Sequence, residues 1–171
     1  MTKQFKAMSC YILAGGKNYQ EDFVPSGDLT RLEAGYRRYA KIFEMVKLVI
    51  KKDQAKEQYL NYPHVLDNSD RKNFSVGVET ALKDAKSEAV FIGSSDLLDF
   101  PLEWPVNLIK DYQGEPFLGY LIPDKNDNSK KHLFGIYNKK TISDMVADKT
   151  NSDIINQLVQ SGRLLPIPSN N

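Results

Sequence analysis

A three-layer α/β/α sandwich around a mostly parallel, mixed sheet is the architecture this sequence predicts. Three observations lead there. Short apolar runs alternate with helix-period segments through the first 110 residues or so, which is the pattern of a parallel sheet with helices on both faces. Several of those runs end in glycine or polar clusters, as strands do when they finish at a cleft. A later pair of runs, Phe117–Ile122 and Leu133–Tyr137, breaks the rhythm and reads as a hairpin-like addition that makes the sheet mixed.

Taken in order, Met8 to Leu13 is a buried strand stopped at Ala14-Gly15-Gly16. Lys17 to Asp28 is polar, holds Pro25 and Gly27, and reads as a loop. A helix is expected from Leu29, with Asp28 at the N-cap and Leu29, Leu32, Tyr36, Tyr39 and Phe43 on its apolar stripe. Val46 to Ile50 is the second strand, Asp53 to Tyr59 a short helix, and His64 to Leu66 a brief third strand ending at Asp67. After a polar turn to Lys72, a helix runs from Phe74 to about Lys86. Ala89 to Ile92 is a buried strand closed by Gly93-Ser94-Ser95-Asp96. Val106–Tyr112, Thr141–Ala147 and Asp153–Val159 are helix candidates, Pro123–Lys131 a polar loop, and Leu164–Ile167 a last strand.

Composition narrows the classes of function. The 171 residues suit a single domain over residues 1–171. Lysine plus arginine number 23 against 22 acidic residues, so the basic excess of a nucleic-acid binder is missing. No apolar run is long enough to span a bilayer, and Met1 to Lys6 lacks a signal-peptide core. The single cysteine, Cys10, makes no internal disulfide, and it reads as inert packing inside a strand. A cytoplasmic setting, no membrane and no nucleic-acid partner are expected.

The predicted topology puts Gly15-Gly16-Lys17, Asp67 and Ser94-Ser95-Asp96 at carboxyl ends of strands, where ligands of such folds bind. The strands finishing at Leu13 and Ile92 are expected side by side, bringing Gly15 and Asp96 to one cleft. Adjacent glycines let a backbone approach a phosphate or base edge, and they also make a plain tight turn. Neither G-x-G-x-x-G nor a P-loop is present. Asp96 suits a Mg²⁺ ligand beside phosphates, or a turn cap; Asp67 has the same two readings.

The string Tyr11-Ile12-Leu13-Ala14-Gly15-Gly16-Lys17 resembles the signature of the NTP-transferase superfamily, and within it the molybdenum cofactor guanylyltransferase family. Phe23 to Leu29 resembles that family's loop into the first helix, and Val46 to Ile50 its second strand. Asp67 falls at its acidic residue after the third strand, and Ser75-Val76-Gly77-Val78 resembles its glycine-containing helix start. Phe91 to Asp96 resembles its strand ending in the metal-binding aspartate, and His132 to Tyr137 a late strand.

The resemblance implies a nucleotide-diphospho-sugar-transferase-like, Rossmann-type fold. It implies transfer of GMP from GTP to a phosphorylated acceptor, molybdopterin. It places Leu13, Ala14, Gly15, Gly16, Lys17, Lys51 and Asp67 against the nucleotide, Lys17 and Asp96 in catalysis, and Mg²⁺ on Asp96. The chain departs from the signature Leu-Ala-Gly-Gly-x-Ser-x-Arg-x-Gly-x-x-Lys. Read without gaps, Asn18, Gln20, Asp22 and Pro25 replace its serine, arginine, glycine and lysine, and Lys51 stands at its usual asparagine. The alternative reading is a catalytically degenerate nucleotide-binding or regulatory relative. Tyr36-Arg37-Arg38-Tyr39 reads as an amphipathic helix face with solvated arginines. Lys51-Lys52 and Lys130-Lys131 read as surface charges, His132 as structural or phosphate-facing, and Trp104 as a cover for the end of the sheet or a platform for a pterin ring.

Overall fold

The computed structural model describes residues 5–14, 21–52, 61–67, 69–70, 74–95, 100–123, 131–140, 142 and 151–168. Among them one sheet has the order β5-β4-β1-β6-β8-β7-β9. Its strands are β1 (Phe5–Leu13), β4 (Phe43–Lys51), β5 (His64–Asp67), β6 (Ala89–Ser94), β7 (Phe117–Pro123), β8 (Lys131–Asn138) and β9 (Arg163–Leu164). β5, β4, β1 and β6 run parallel; β8 is antiparallel to both β6 and β7, and β9 is parallel to β7. The mixed sheet and its late hairpin are therefore as the alternation and its break indicated.

Strand alternation sorts the apolar side chains into two layers. Cys10, Ile12, Leu48, Ile50, Phe91, Phe134 and Ile136 pack on one face beneath Leu32 and Tyr39 of α1 (Arg31–Tyr39) and Trp104 and Leu108 of α3 (Glu103–Asp111). Tyr11, Val49, Val90, Ile92, Leu133 and Tyr137 pack on the other. They lie beneath Val78, Ala81 and Leu82 of α2 (Phe74–Asp84) and Leu158 of α4 (Asn151–Ser161). Each fully buried side chain of this size contributes roughly 1.5–3 kcal/mol of transfer free energy. Cys10 is fully buried and its thiol is pushed well above its ordinary value by that burial, which keeps it unreactive.

Two glycines shape the hairpin. Gly119 of β7 and Gly135 of β8 are register partners, and the Phe117 ring lies across them. A Cβ on Gly119 would stand 2.5 Å from Phe117 Cζ, and one on Gly135 2.9 Å from its Cε2. The missing side chains let Phe117 bury completely and meet Tyr137 edge-on, with ring centroids 4.8 Å apart.

Several sequence expectations need correction. The first helix starts at Arg31, not Leu29, and Thr30 caps it. Thr30 Oγ1 accepts a hydrogen bond from the Glu33 backbone N–H at 3.2 Å, and Glu33 Oε2 accepts one from the Thr30 N–H at 2.7 Å, a complete capping box. Asp28 instead shares a two-residue turn with Gly27, whose φ is +70°, between β2 (Pro25–Ser26) and β3 (Leu29–Thr30). Phe43 opens β4 rather than closing the helical stripe; its spacing from Tyr39 matches the helix because both rings enter the same core. The third helix begins at Glu103 and stops before Tyr112. Pro123 and Lys131 belong to strands, and the last strand is Arg163–Leu164, not Leu164–Ile167. The helices expected at Asp53–Tyr59 and over most of Thr141–Ala147 lie outside the described residues.

Candidate functional site at the carboxyl ends of the parallel strands

Leu13 pairs in register with Val49 of β4 on one side and Ser94 of β6 on the other, so the ends of β1 and β6 lie at one level and β4 runs two residues further, to Lys51. Ala14 continues the line, its N–H donating to Val49 O at 2.9 Å, and is buried. The strands ending at Leu13 and beyond Ile92 are thus neighbours, as expected. Gly15, Gly16, Lys17 and Asp96, which follow these ends in the chain, lie outside the described residues.

Helix α2 closes down on this end through Gly77. A Cβ there would stand 3.2 Å from both Leu13 methyl carbons, so glycine is what allows the first turns of α2 to approach β1 so closely. Its signal in the sequence is the Ser75-Val76-Gly77-Val78 string.

Lys51 and Asp67, one residue from each of two adjacent strand ends, are register partners of β4 and β5. Lys51 Nζ lies 2.8 Å from Asp67 Oδ2 and donates to Ser69 O at 2.7 Å, while the Ser69 N–H donates to Asp67 Oδ1 at 2.9 Å. The two side chains are 11% and 6% exposed, so this is a buried, hydrogen-bonded ion pair. Lys51 is therefore not a surface charge, unlike Lys52, which is exposed. The register pairing that joins it to Asp67 is a tertiary fact that the two separated strings do not show.

The stretch after β6 is held where it re-enters the described structure. Arg38 Nη2 of α1 donates to Phe100 O at 3.0 Å, and the Phe100 ring stacks on Trp104 with centroids 4.5 Å apart. Ser95, at its other end, is buried. Arg38 thus spans α1 and this stretch instead of pointing only into solvent. Trp104 is 4% exposed between Phe100 and Tyr120, which leaves no open face for a pterin.

A second polar cluster lies on the α2 face. Tyr11 Oη donates to Asp84 Oδ2 at 2.6 Å, and Lys47 Nζ approaches the same oxygen at 2.7 Å. Burial opposes ionisation of Asp84, but the hydrogen bonds from Lys47 and Tyr11 outweigh it and hold the carboxyl below its ordinary range. Burial and the Asp84 carboxylate push the Tyr11 phenol up. Asp84 also borders a groove of about 430 Å³ between β5 and α2, lined by Val65, Leu66, Val76 and Thr80 among others. Among the described residues that line it, Asp67 and Ser69 are those at the strand ends.

Solved structures share this architecture. A 4-diphosphocytidyl-2C-methyl-D-erythritol synthase superposes with a TM-score of 0.71 over 97% of this chain and 90% of its own, at 12% identity. Molybdopterin-guanine dinucleotide biosynthesis protein A from Archaeoglobus fulgidus gives 0.67 over 94% and 82%, at 14% identity. A protein from Aquifex aeolicus VF5 gives 0.65 over 90% and 83%, at 28% identity. No family model matches the chain. In sequence the chain is 34% identical over 143 residues to a protein of Aquifex aeolicus (strain VF5) named "Probable molybdenum cofactor guanylyltransferase". That alignment covers 80% of this chain and 67% of the relative. The class is that of an α/β nucleotidyltransferase with a nucleotide-diphospho-sugar-transferase-like fold. Within it, the chain belongs to the molybdenum cofactor guanylyltransferase family.

Proposed function

We propose that the chain, as a single domain over residues 1–171, transfers GMP from GTP to the phosphate of a molybdopterin-type acceptor. The observation that carries the reading is the side-by-side ending of β1 and β6, which brings the exits toward Gly15-Gly16-Lys17 and toward Asp96 to one end of the sheet. An acceptor phosphate oxygen attacks the α-phosphorus of GTP, the bond to the bridging oxygen breaks, and pyrophosphate leaves. No covalent bond to the chain forms.

In this reading Leu13 and Ala14 set the height of the following glycines, whose N–H groups donate to phosphate oxygens, and Lys17 supplies positive charge there. The described carboxylate at this end, Asp67, does not suit a metal, because Lys51 and the Ser69 N–H already engage its two oxygens. Holding Mg²⁺ is the role that the family resemblance implies for Asp96, and the ion would supply charge neutralisation at the phosphates. Among the described residues no helix is long and apolar enough to cross a membrane, and the cytoplasmic setting remains the proposal that the lone buried Cys10 supports.

One observation favours the second reading, a relative that binds nucleotide without turnover. Asp22, at the position of a signature glycine when the two are read without gaps, is buried and lies in a short 3₁₀ helix (Glu21–Phe23), so a buried acidic residue stands where the signature has none. Calorimetry with GTP, ATP, CTP and UTP, with and without Mg²⁺, tests the nucleotide site. Pyrophosphate release in the presence of acceptor then separates the two readings. Mg²⁺-dependent GTP binding with pyrophosphate release supports transfer; binding alone supports the second reading; no binding of any nucleotide rejects both.

A further inference from the structure

Glu33 holds two parts of the chain at once. Its Oε2 accepts the Thr30 N–H at 2.7 Å and closes the capping box of α1, while its Oε1 accepts the Tyr62 hydroxyl at 2.7 Å. Tyr62 stands just before β5, and Glu33 in the first turn of α1, so one carboxylate joins the helix to the approach of an edge strand. The Tyr62 ring lies against that of Tyr36, in the next turn of α1, with centroids 4.9 Å apart, and both rings pack on the core of this face. The bond is charge-assisted. The Thr30 N–H and the Tyr62 hydroxyl hold the Glu33 carboxyl below its ordinary range, and burial and that carboxylate push the Tyr62 phenol up to about 12.

The connection that enters α1 depends on this first turn. It comprises the 3₁₀ helix, β2 and β3. The two strands pair antiparallel around Gly27-Asp28, and the Arg31 N–H donates to Val24 O at 3.2 Å. β2 and β3 form a sheet of their own, so among the described residues the hairpin has no ladder to the main sheet. A two-stranded ribbon is marginal alone and takes its order from what it packs on. Its supports here are Phe23, packed against the core, and the start of α1.

We propose that Tyr62 is a positioning residue for the connection between β1 and α1: through the Glu33 carboxylate, its hydroxyl fixes the first turn of α1 and with it the β2–β3 hairpin. That connection leaves the carboxyl end of β1, the end at which open α/β sheets bind ligands. Its effect on a ligand rests on the nucleotide site proposed above; its effect on the hairpin does not.

Hydrogen exchange of single amides, read by NMR on the whole chain, tests the proposal with Tyr62→Phe, Glu33→Ala and the double variant. Tyr62→Phe keeps the ring beside Tyr36 and removes only the hydroxyl. Protection of the Thr30, Arg31 and Glu33 amides should fall about tenfold, the loss of one hydrogen bond to a charged group. The Ala14 amide, bonded to Val49 O in the main sheet, should keep its protection. Adding Tyr62→Phe to Glu33→Ala should change nothing further, because the hydroxyl acts through that carboxylate. Unchanged protection of the Thr30, Arg31 and Glu33 amides in Tyr62→Phe overturns the proposal. So does a further loss of about tenfold in the Glu33→Ala background. GTP titrated in Mg²⁺ by calorimetry reads the ligand end, where the dissociation constant of Tyr62→Phe should rise by about threefold or more. An unchanged constant, with measurable binding by the wild type, confines Tyr62 to a structural role and overturns the positioning. No heat with the wild type rejects the nucleotide site instead, and the exchange result then decides alone.

Discussion

Leu13 and Ser94 stand opposite one another at the ends of adjacent parallel strands. In a parallel sheet the crevice for a ligand opens where neighbouring strands leave in different directions. Here the chain leaves β1 into the glycines and leaves β6 toward Asp96. The first prediction follows. Asp96→Asn should abolish Mg²⁺-dependent nucleotide binding measured by calorimetry while leaving the melting temperature nearly unchanged. A variant that binds Mg²⁺-nucleotide as the wild type does would remove Asp96 from the metal site.

The Tyr11–Asp84–Lys47 cluster carries a pH signature. Asp84 has its carboxyl held low in the folded state, so the stability it lends is fully present above the unfolded carboxylate value of about 4 and is lost as pH falls through the folded value. Asp84→Asn should lower the melting temperature near neutral pH and flatten its decline below about pH 4. Tyr11 runs the other way: its raised phenol supports the fold below about pH 10 and ceases to do so on further alkalinisation. Thermal melts across pH for the wild type, Asp84→Asn and Tyr11→Phe would show both limbs. An Asp84→Asn profile parallel to that of the wild type would contradict the assignment.

At the hairpin, Gly135→Ala forces a methyl group against the Phe117 ring and the β7 backbone. Neither strand can move without breaking the ladder, so the change should destabilise the fold by about 2–3 kcal/mol, the upper part of the range for overpacking. Urea unfolding gives the number, and a loss below about 0.5 kcal/mol would mean that Phe117 swings aside at little cost. Gly119→Ala should behave alike, because the two glycines face the same ring.

The helix cap is a direct comparison of two residues. Thr30→Ala should cost about 1 kcal/mol, the usual loss of an N-cap, whereas Asp28→Ala should stay within about 0.5 kcal/mol. The reverse ranking in chemical denaturation would return the cap to Asp28.

Much of the fold was legible because its signals are local. Cys10, Ile12, Phe91 and Ile92 sit in short β-rich runs that stop at polar or glycine residues, and their alternation with helical periods specifies parallel pairing before any contact is known. Boundaries were less legible where two rules competed. Asp28 and Thr30 are both good caps, and only the Gly27–Asp28 hairpin turn, a product of how β2 and β3 pair, decides between them.

The sequence by itself determined the layer order, the hairpin addition and the identity of the polar strand ends, since each follows from periodicity and composition along the chain. Tertiary structure alone decided what the charged residues at those ends do. Lys51 and Asp67 are 16 positions apart and read separately as a surface charge and a ligand candidate; parallel registration of β4 on β5 puts them in contact and burial turns them into a pair. Arg38 and Phe100, and Tyr11 and Asp84, are joined in the same way. A buried charge must find its partner wherever the fold brings one within reach, and that distance is a property of the packed sheet, not of the spacing in the chain.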